Sequence, residues 1–395
     1  MHQTPRSWAR RRAVKVLHIA LGGALLATAA CGSGDAQATA SIAVVTASHD
    51  DELEPTFSPG DIGLLSAHAQ SARGRDDAAP VHVVTADPAT TETVDLTPRR
   101  PNGQVELGAR RDALIADRIA QLARVVDAHV RAGGEPDLLG ALGTATRTDA
   151  SVILVLADGL APGRGWDFRV SGWDVYPPDL GDRLRATGAL PDARGRTIVL
   201  SGLGRTAGDQ PLLGVREQQR LRELWLGVCA ATGARCTVDD GVRPARPPLS
   251  PVPGPVVDVP RIATVPGPGG TTEITIPTSV LFGPDSCLFI DPAAATAAVA
   301  DVAARLRSGG ETVTVSGRTA PVGDDGISLA RCRAQQIADL LLAAGVDPDL
   351  VLDVRADGSR ADPPDAARDA SGRLDPARLP ALRRVVLTLT PREMP

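Results

Sequence analysis

Several residue types are scarce in this chain, and each shortage narrows the chemistry that the protein can perform. Aromatic residues make up only 2% of the 395 residues, and no basic stripe with interleaved aromatics occurs. Binding of nucleic acid is therefore not expected. Lys15 is the only lysine, so Schiff-base chemistry is excluded for every residue beyond it. All six histidines lie at or before His129, so the C-terminal half has no histidine to act as a base or a metal ligand.

The remaining composition is that of a folded, mildly acidic protein. Apolar residues make up 43% of the chain, and its formal net charge is -5. A chain of 395 residues exceeds the size that one hydrophobic core usually organises, so we expect two domains with additional segments.

The first residues have the order of an export signal. Basic residues between Arg6 and Lys15 precede an apolar run from Val16 to Ala30. This run is short for a membrane span, which needs about 20 residues, and its length is typical of a signal peptide. We therefore expect the protein to be exported from the cytoplasm.

Small residues lead directly into Cys31 at the end of that run. The order resembles the lipobox of bacterial lipoproteins, in which the cysteine thiol is acylated, for example with palmitate. The resemblance implies a signal peptide over 1–30, a lipid on Cys31 and a tether over 31–40. It implies a location in the cell envelope, on the extracytoplasmic side of the cell membrane or the outer membrane. An ordinary signal peptide, an uncleaved anchor and twin-arginine export through Arg10–Arg12 remain alternatives.

The other four cysteines can pair in three ways; they are Cys229, Cys236, Cys287 and Cys332. Cys229–Cys236 and Cys287–Cys332 are favoured because each pair stays within one predicted domain. The second pair closes a loop of about 45 residues, which stabilises a fold by roughly 4 kcal/mol through chain entropy. A zinc site is the alternative, but the sequence has neither CxxC spacing nor a histidine near these cysteines.

Residues 41–240, the N-terminal module, predict an α/β domain with a doubly wound, mostly parallel sheet. Apolar runs typical of buried strands are Ile42–Thr46, Val81–Thr85, Val152–Leu156 and Thr197–Ser201. Helical periodicity occurs at Leu107–Ala132, Leu138–Arg147, Pro178–Thr187 and Val215–Thr232. Residues 241–270 are rich in proline and predict an extended linker.

One strand of this module ends in Asp158-Gly159 and resembles the corresponding strand of von Willebrand factor type A domains. In such domains the aspartate helps to organise a metal site. Ser48, Asp50 and Asp51 could supply further oxygen ligands for a hard cation, but their spacing does not match the family motif. We therefore predict no metal, and we expect Asp158 to cap a turn before Gly159.

Other patterns in this module do not predict catalysis. The glycine-rich run Gly202–Gly208 follows a strand, but its spacing differs from that of a dinucleotide-binding loop. Trp166, Trp173 and Tyr176 form a local apolar cluster or a recognition surface, and the cluster is favoured. Because no Ser-His-Asp arrangement is defensible, we expect no cofactor and no enzymatic activity.

Residues 271–391, the C-terminal module, alternate in the order βαβαββ. The predicted elements are Glu273–Phe282, Pro292–Arg307, Glu311–Ser316, Ser328–Ala344, Leu352–Ala356 and Arg384–Thr390. Local matches to one family are Val280–Phe282, Val313–Thr319, Leu329–Leu341 and Leu382–Val385. Together they resemble the OmpA/MotB C-terminal family, which implies a domain that binds peptidoglycan non-covalently.

The ligand of that family explains which side chains a binding site needs. Diaminopimelate in the stem peptide carries an ammonium and a carboxylate, and arginine pairs with a carboxylate through two parallel hydrogen bonds. The resemblance places this arginine at Arg333, in the second helix. It places Thr319 in the binding loop, and Arg384 is a candidate helper.

The acidic residue that the family uses for the ammonium is missing, because its position is occupied by Ala320. Asp324 and Asp325 follow in the same loop and could substitute for it. Three hypotheses stay open: wall binding with a shifted acid, binding of a modified stem peptide, and a fold that no longer binds the wall.

Together these patterns predict a lipid-anchored envelope protein that binds peptidoglycan and presents its α/β module to an envelope partner. The alternatives are an N-terminal solute-binding or enzymatic domain anchored by the C-terminal module, and an adaptor that does not bind the wall.

Overall fold

A computed structural model describes most of the chain beyond the predicted tether. The described residues are 41–46, 54–85, 91–131, 137–163, 165–173, 175–244, 256–321, 326–359, 366–375 and 378–392. The predicted signal peptide, Cys31 and the tether lie outside them. Within those ranges no helix combines the length and the apolar character that a bilayer span requires. The described chain forms two mixed sheets with helices.

The first sheet has six strands in the order β3-β2-β1-β4-β5-β6. They are β1 (Ile42–Val45), β2 (Pro80–Val84), β3 (Thr91–Asp95), β4 (Val152–Leu156), β5 (Thr197–Ser201) and β6 (Arg235–Asp239). The edge strand β3 runs antiparallel to β2, and every other pair is parallel. In this register Val44 lies between Val83 and Leu154. Because β2 and β4 flank β1 on opposite sides, the direction of winding reverses between β1 and β4.

Both strands missed by the sequence analysis lie at edges of this sheet. Only one of the five residues of β3 is buried, Val94, and none of β6 is fully buried. An edge strand with solvent beside it lacks the continuous apolar run by which buried strands are identified. The sequence pattern therefore could not predict them.

The helices of this module supply apolar side chains to two separate clusters. They are α1 (Pro59–Ser71), α2 (Arg111–Arg131), α3 (Leu138–Ala145), α4 (Phe168–Ser171), α5 (Pro177–Ala186) and α6 (Val215–Ala231). Leu65 of α1 and Leu122 of α2 pack with Val44, whereas Leu142 of α3 and Leu184 of α5 pack in the other cluster. Successive side chains of a strand point to opposite faces, so the two clusters lie on the two sides of the sheet.

Helix α1 was not predicted, although its first turn is strongly specified. Ser58 caps the helix by accepting a hydrogen bond from the Asp61 N–H, and Asp61 accepts one from the Ser58 N–H. Pro59 occupies the first turn, where its missing N–H has no consequence. The buried face, however, contains only Asp61, Leu65 and Ala69. A face with one large apolar side chain gives no helical periodicity in the sequence.

Aromatic residues form a small core beside α4 and α6. The Trp166 ring lies 4.9 Å from Phe168 and 5.0 Å from Trp225, and Phe168 lies 5.1 Å from Trp173. Trp166 and Trp173 are buried, whereas Tyr176 is 53% exposed. The two tryptophans therefore belong to the local core, and Tyr176 does not.

Part of the predicted linker packs against the N-terminal module. Gln210 hydrogen-bonds both backbone groups of Val257, at 2.9 and 2.7 Å, as a neighbouring strand would. The indole of Trp173 donates to the carbonyl of Asp258 at 2.8 Å. Val257 and Val259 are buried in the same apolar cluster as α5 and α6. The end of the 241–270 segment is thus anchored to the module rather than extended through solvent.

The second sheet has five strands in the order β10-β9-β11-β8-β7. They are β7 (Ala263–Pro266), β8 (Thr272–Pro277), β9 (Glu311–Arg318), β10 (Val351–Gly358) and β11 (Arg384–Pro391). Strands β9 and β10 are parallel, and all other pairs are antiparallel. Strand β7 lies within the segment predicted as linker, so that segment also extends the C-terminal sheet.

Two long helices pack their apolar residues with one face of this sheet. The helices of the module are α7 (Thr278–Leu281), α8 (Pro292–Arg307), α9 (Ile327–Ala343) and α10 (Leu379–Leu382). Val299 of α8 and Ile337 of α9 share a buried cluster with Val315 and Leu387 of the sheet.

The strand predicted over Glu273–Phe282 is shorter in the structure. It ends at Pro277, and the helical turn α7 follows at once. The Thr278 N–H donates to the carbonyl of Arg383 at 2.9 Å, immediately beyond the ladder with β11. Pairing with β11 therefore stops there, although the apolar sequence continues.

Both favoured cysteine pairs form disulfides. Cys229 of α6 bonds to Cys236 of β6, with 6.1 Å between the Cα atoms. Cys287 bonds to Cys332 of α9, with 5.8 Å between the Cα atoms. The second bond attaches the start of α9 to the loop that follows α7.

Candidate functional site

Two of the residues predicted to bind peptidoglycan, Thr319 and Arg384, lie near one end of the C-terminal sheet. Arg384 begins β11 and lies directly opposite Arg318, the last residue of β9. Thr319 follows, and its N–H donates to the carbonyl of Gly358 in β10 at 2.9 Å. The ends of three neighbouring strands thus bring Thr319 and Arg384 to the same end of the sheet.

Helix α9 begins beside the same end of the sheet. A Cβ atom on Gly326, which precedes the helix with φ of 60°, would lie 2.6 Å from the hydroxyl oxygen of Thr319. Glycine is needed at this position because it adopts positive φ without strain and leaves room for Thr319. Thr319 is 7% exposed, so its side chain is packed between strand and helix.

Arg333 connects α9 to the loop after α7. Its Nε donates to the carbonyl of Ser286 at 2.8 Å, and its Nη2 donates to the carbonyl of Gly283 at 3.3 Å. The guanidinium carbon lies 5.6 Å from the centre of the Phe282 ring, a cation–π distance. The side chain is 2% exposed. Arg333 and the adjacent disulfide of Cys332 therefore fasten the helix to the loop at successive positions.

This arrangement gives Arg333 a structural role, whatever ligand it contacts. Two of its five N–H donors are used on the backbone carbonyls of Ser286 and Gly283. That Arg333 pairs with the carboxylate of a stem peptide stays a prediction.

The position of the missing acid lies in an apolar environment. Ala320 is 7% exposed and packs with Ala367 and Leu382, from the segment between β10 and β11. Asp324 and Asp325, predicted as substitutes, lie outside the described residues. A stem-peptide ammonium at Ala320 would therefore meet methyl groups where the family provides a carboxylate.

The pairing of Arg318 with Arg384 places two guanidinium groups on adjacent strands. Like charges directly opposite each other weaken an antiparallel pair unless a counter-charge lies nearby. Arg384 Nη1 donates to the carbonyl of Ala381 at 2.7 Å. On the other side, the Ser316 hydroxyl donates to the carboxylate of Asp357 in β10. The sequence analysis missed Arg318 and Asp357, because only strand pairing shows that they lie beside Arg384 and Ser316.

Asp158, which follows β4, caps a turn as predicted. Asp158 is 2% exposed, and its Oδ1 accepts a hydrogen bond from the Leu160 N–H at 2.8 Å. Ser48, Asp50 and Asp51 lie outside the described residues. Within the described part of the chain, no group of three or more His, Cys, Asp or Glu side chains is arranged to hold a metal.

A buried ion pair near the carboxyl edge of the N-terminal sheet also escaped the sequence analysis. Arg243 Nη2 lies 2.7 Å from a carboxylate oxygen of Asp61 and 3.6 Å from one of Asp239. The same nitrogen donates to the Ser201 hydroxyl, which in turn donates to Asp61 at 2.9 Å. Asp61 is 182 residues from Arg243 and 140 residues from Ser201 in sequence, so no local motif predicts that they meet.

Comparison with known proteins gives local structural similarities. Searches found no matching protein-family model and no matching curated protein. A MotB-like protein from Desulfovibrio vulgaris is 23% identical over 33% of this chain and 82% of its own, with a TM-score of 0.27.

Two further solved structures are similar over the same share of the chain. The periplasmic domain of Helicobacter pylori MotB is 18% identical over 31% of this chain and 78% of its own, with a TM-score of 0.25. The cell wall anchor of the T6SS from Pseudomonas aeruginosa is 26% identical over 33% and 89%, with a TM-score of 0.26. At such TM-scores these similarities carry no argument about the function of this chain.

Proposed function

We propose that this protein is an exported cell-envelope protein whose C-terminal module associates non-covalently with peptidoglycan. The observation that supports the proposal is the end of the C-terminal sheet, where the ends of three strands bring Thr319 and Arg384 together and Gly326, before α9, packs against Thr319. We propose that Thr319 and Arg384 contribute to the binding site that the OmpA/MotB resemblance implies. The boundaries of the two modules, at 41–240 and 271–391, are part of this proposal.

The positive charge of Arg318 and Arg384 at this end of the sheet suits the carboxylate of a stem peptide. Arg384 and Arg318 lie opposite each other on adjacent strands, so a carboxylate at this end of the sheet would face a guanidinium group from each strand. Asp357 on the next strand is a candidate acid for the ammonium, beside the predicted Asp324 and Asp325. In this proposal Arg333 orients the loop from Phe282 to Ser286 against α9.

The first 40 residues and the N-terminal module complete the proposal. A lipid on Cys31 would hold the protein at a membrane, and the N-terminal module, a doubly wound relative of von Willebrand type A domains, would face an envelope partner. We propose no catalytic role and no cofactor for either module. Mass spectrometry of the membrane-bound protein tests the anchor, because Cys31→Ser should abolish both the lipid and membrane retention.

A second candidate function is favoured by the apolar surroundings of Ala320 and by the carbonyl partners of Arg333. Both features are those of a closed protein interior. In this candidate the C-terminal module keeps the fold, does not bind the wall and acts as an adaptor between proteins.

Sedimentation with purified peptidoglycan distinguishes the two candidates. The wild-type chain should pellet with the wall, and Arg384→Gln should leave most of the protein in the supernatant. Arg307→Gln is the matched control, because this exposed arginine bonds Ala344 at the opposite end of α9. Thermal unfolding of each variant checks the fold.

The sedimentation experiment gives a different result for each candidate function. If the wild type stays in the supernatant, wall binding is wrong and the adaptor remains. If Arg384→Gln and Arg307→Gln reduce pelleting equally, the charge of the module acts without a specific site at this edge.

A further inference from the structure

A small cleft lies at the carboxyl edge of the N-terminal sheet, where β4 and β5 end. It has a volume of about 280 Å³ including its open mouth. Its lining comes from the end of β4, the end of β5, the segment before α1 and two arginines: Leu156, Ala157, Ser201, Gly202, Glu54, Pro55, Thr56, Arg205 and Arg243. Glu54 brings a carboxylate to this lining. Open α/β sheets bind ligands at this edge, close to the point where winding reverses. Here that point lies between β1 and β4.

Arg243 is held in place by hydrogen bonds, and its positive charge is compensated by an ion pair. The Arg243 side chain is 4% exposed and forms the ion pair with Asp61 at 2.7 Å. It also donates to the carbonyl of Thr56. Its Nε is buried, and within the described part of the chain this atom has no hydrogen-bond partner. The network therefore holds Arg243 rigidly at the wall of the cleft while one donor is left unused.

The other arginine is positioned differently. Arg205 is half-buried, and its hydrogen bond to the carbonyl of Pro244 is long, at 3.4 Å. Among the described residues, no carboxylate lies within ion-pair distance of Arg205. Burial lowers the pKa of the Arg205 guanidinium from its ordinary value, and the nearby charge of Arg243 lowers this pKa further. Its positive charge is thus partly desolvated without a directly opposed negative charge.

The loop after β5 holds Arg205 in this position. Gly202 and Gly204 both have positive φ, at 98° and 75°, which glycine adopts without strain. The Arg205 N–H donates to the carbonyl of Gly202 at 3.1 Å, and the Gly204 N–H donates to that of Asp158 at 2.7 Å. These bonds tie the loop to the end of β4. Arg205 is therefore presented by a defined turn at the rim of the cleft.

We infer that this cleft binds one oxyanion group, the carboxylate or phosphate of a small ligand, through the Arg205 guanidinium, which has no carboxylate partner among the described residues. Charge-assisted hydrogen bonds from a planar guanidinium favour both groups over chloride, because both present two oxygens to the fork. This site does not depend on peptidoglycan binding by the other module.

Isothermal titration of the exported chain tests the inference directly. Inorganic phosphate and acetate are titrated separately, with sodium chloride at matched ionic strength as the reference. One of the two should bind saturably to the wild type, and the stronger one identifies the ligand group. Arg205→Gln should weaken binding by about tenfold or more, the usual effect of losing hydrogen bonds to a charged group. Arg205→Lys keeps the positive charge but loses the planar guanidinium group, so its affinity for the anion should lie between those of the wild type and Arg205→Gln.

Arg194→Gln is the matched control, because Arg194 is an 80% exposed arginine of the same module paired with Asp192. It should bind like the wild type. In anion-free buffer Arg205→Gln should unfold at the wild-type temperature or above, because it removes a partly desolvated charge. The inference is overturned if the wild type binds neither anion saturably, or if Arg205→Gln binds as tightly as the wild type. Marked destabilisation of Arg205→Gln in anion-free buffer would also overturn it, since the arginine would then be structural.

Discussion

Gly317 of β9 lies directly against the backbone carbonyl of Ala330 in α9. A Cβ atom at position 317 would be 2.0 Å from that oxygen, closer than any real contact between such atoms. The absence of a side chain therefore allows α9 to approach the sheet in its first turn. The helix start, Thr319 and the loop attached by Arg333 all depend on this approach.

We predict that Gly317→Ala lowers the free energy of unfolding by about 3 kcal/mol or more, at the upper end of overpacking effects. The obstacle is backbone, which cannot rotate away as a side chain would. Urea unfolding of the full chain measures the change. Gly310→Ala is the control, because a Cβ there meets nothing within 4 Å. An equal effect of the two substitutions would contradict the close approach.

We predict that Arg333→Met lowers the free energy of unfolding by roughly 2–5 kcal/mol. The substitution keeps the apolar stem but removes the Arg333 donor to the Ser286 carbonyl and one of the two donors to the Gly283 carbonyl. A buried unpaired group costs about 1–3 kcal/mol. Chemical denaturation provides the measurement. Arg307→Met, on an exposed arginine of the same module, should change it by less than about 1 kcal/mol. A neutral Arg333→Met would mean that the loop is held by the disulfide alone.

We predict that Ala320→Asp destabilises the C-terminal module by several kcal/mol at neutral pH, because a carboxylate would replace a methyl group among Ala367 and Leu382. Burial would raise the pKa of the new carboxyl group above its unfolded value. The neutral form then favours folding, so the destabilisation should shrink as the pH falls from above the raised folded pKa towards the unfolded pKa, and it should stay constant below that value. Unfolding midpoints of Ala320→Asp and the wild type, measured across this pH range, test whether the destabilisation shrinks as the pH falls. Ala320→Ser controls for size.

The same variant separates the two candidate functions. If Ala320→Asp is tolerated and pellets with peptidoglycan more completely than the wild type, the position is an accessible binding site. Loss of stability without a gain in wall binding is the outcome that the apolar cluster predicts.

We predict that Glu106 contributes to stability in a pH-dependent way. The Arg100 guanidinium, together with the Gly108 N–H, lowers the pKa of Glu106 from 4.5 to about 2. A carboxyl group whose pKa is lowered by folding stabilises above the unfolded pKa. Its contribution is lost as the pH falls from 4.5 through about 2.

Denaturant midpoints measured between these two pH values test the contribution of Glu106. The wild type should lose stability more steeply than Glu106→Gln, which cannot titrate. Arg100→Gln should flatten the profile in the same way, and the double variant should add little. Parallel profiles for wild type and both variants would show that this ion pair does not form in solution.

Much of the fold follows from local pattern. The buried strands β1, β2, β4 and β5 were predicted because each is a short apolar run, and α8 and α9 because their apolar residues recur at helical spacing. Both disulfides followed from counting cysteines within predicted domains. At the candidate site, the sequence also identified Ala320 as the position that lacks the family acid.

Long-range pairing decided the rest. The edge strands β3, β6 and β7 take their conformation from a neighbour, and their own sequences do not require it. The partners of Arg333 lie on a loop nearly fifty residues away, at separations of 47 and 50. Arg243 and Asp61 are 182 residues apart, and they meet only because the fold brings the segment after β6 next to the start of α1. A sequence determines where local burial and turns occur, but which charges become neighbours depends on strand order, and strand order exists only in the folded chain.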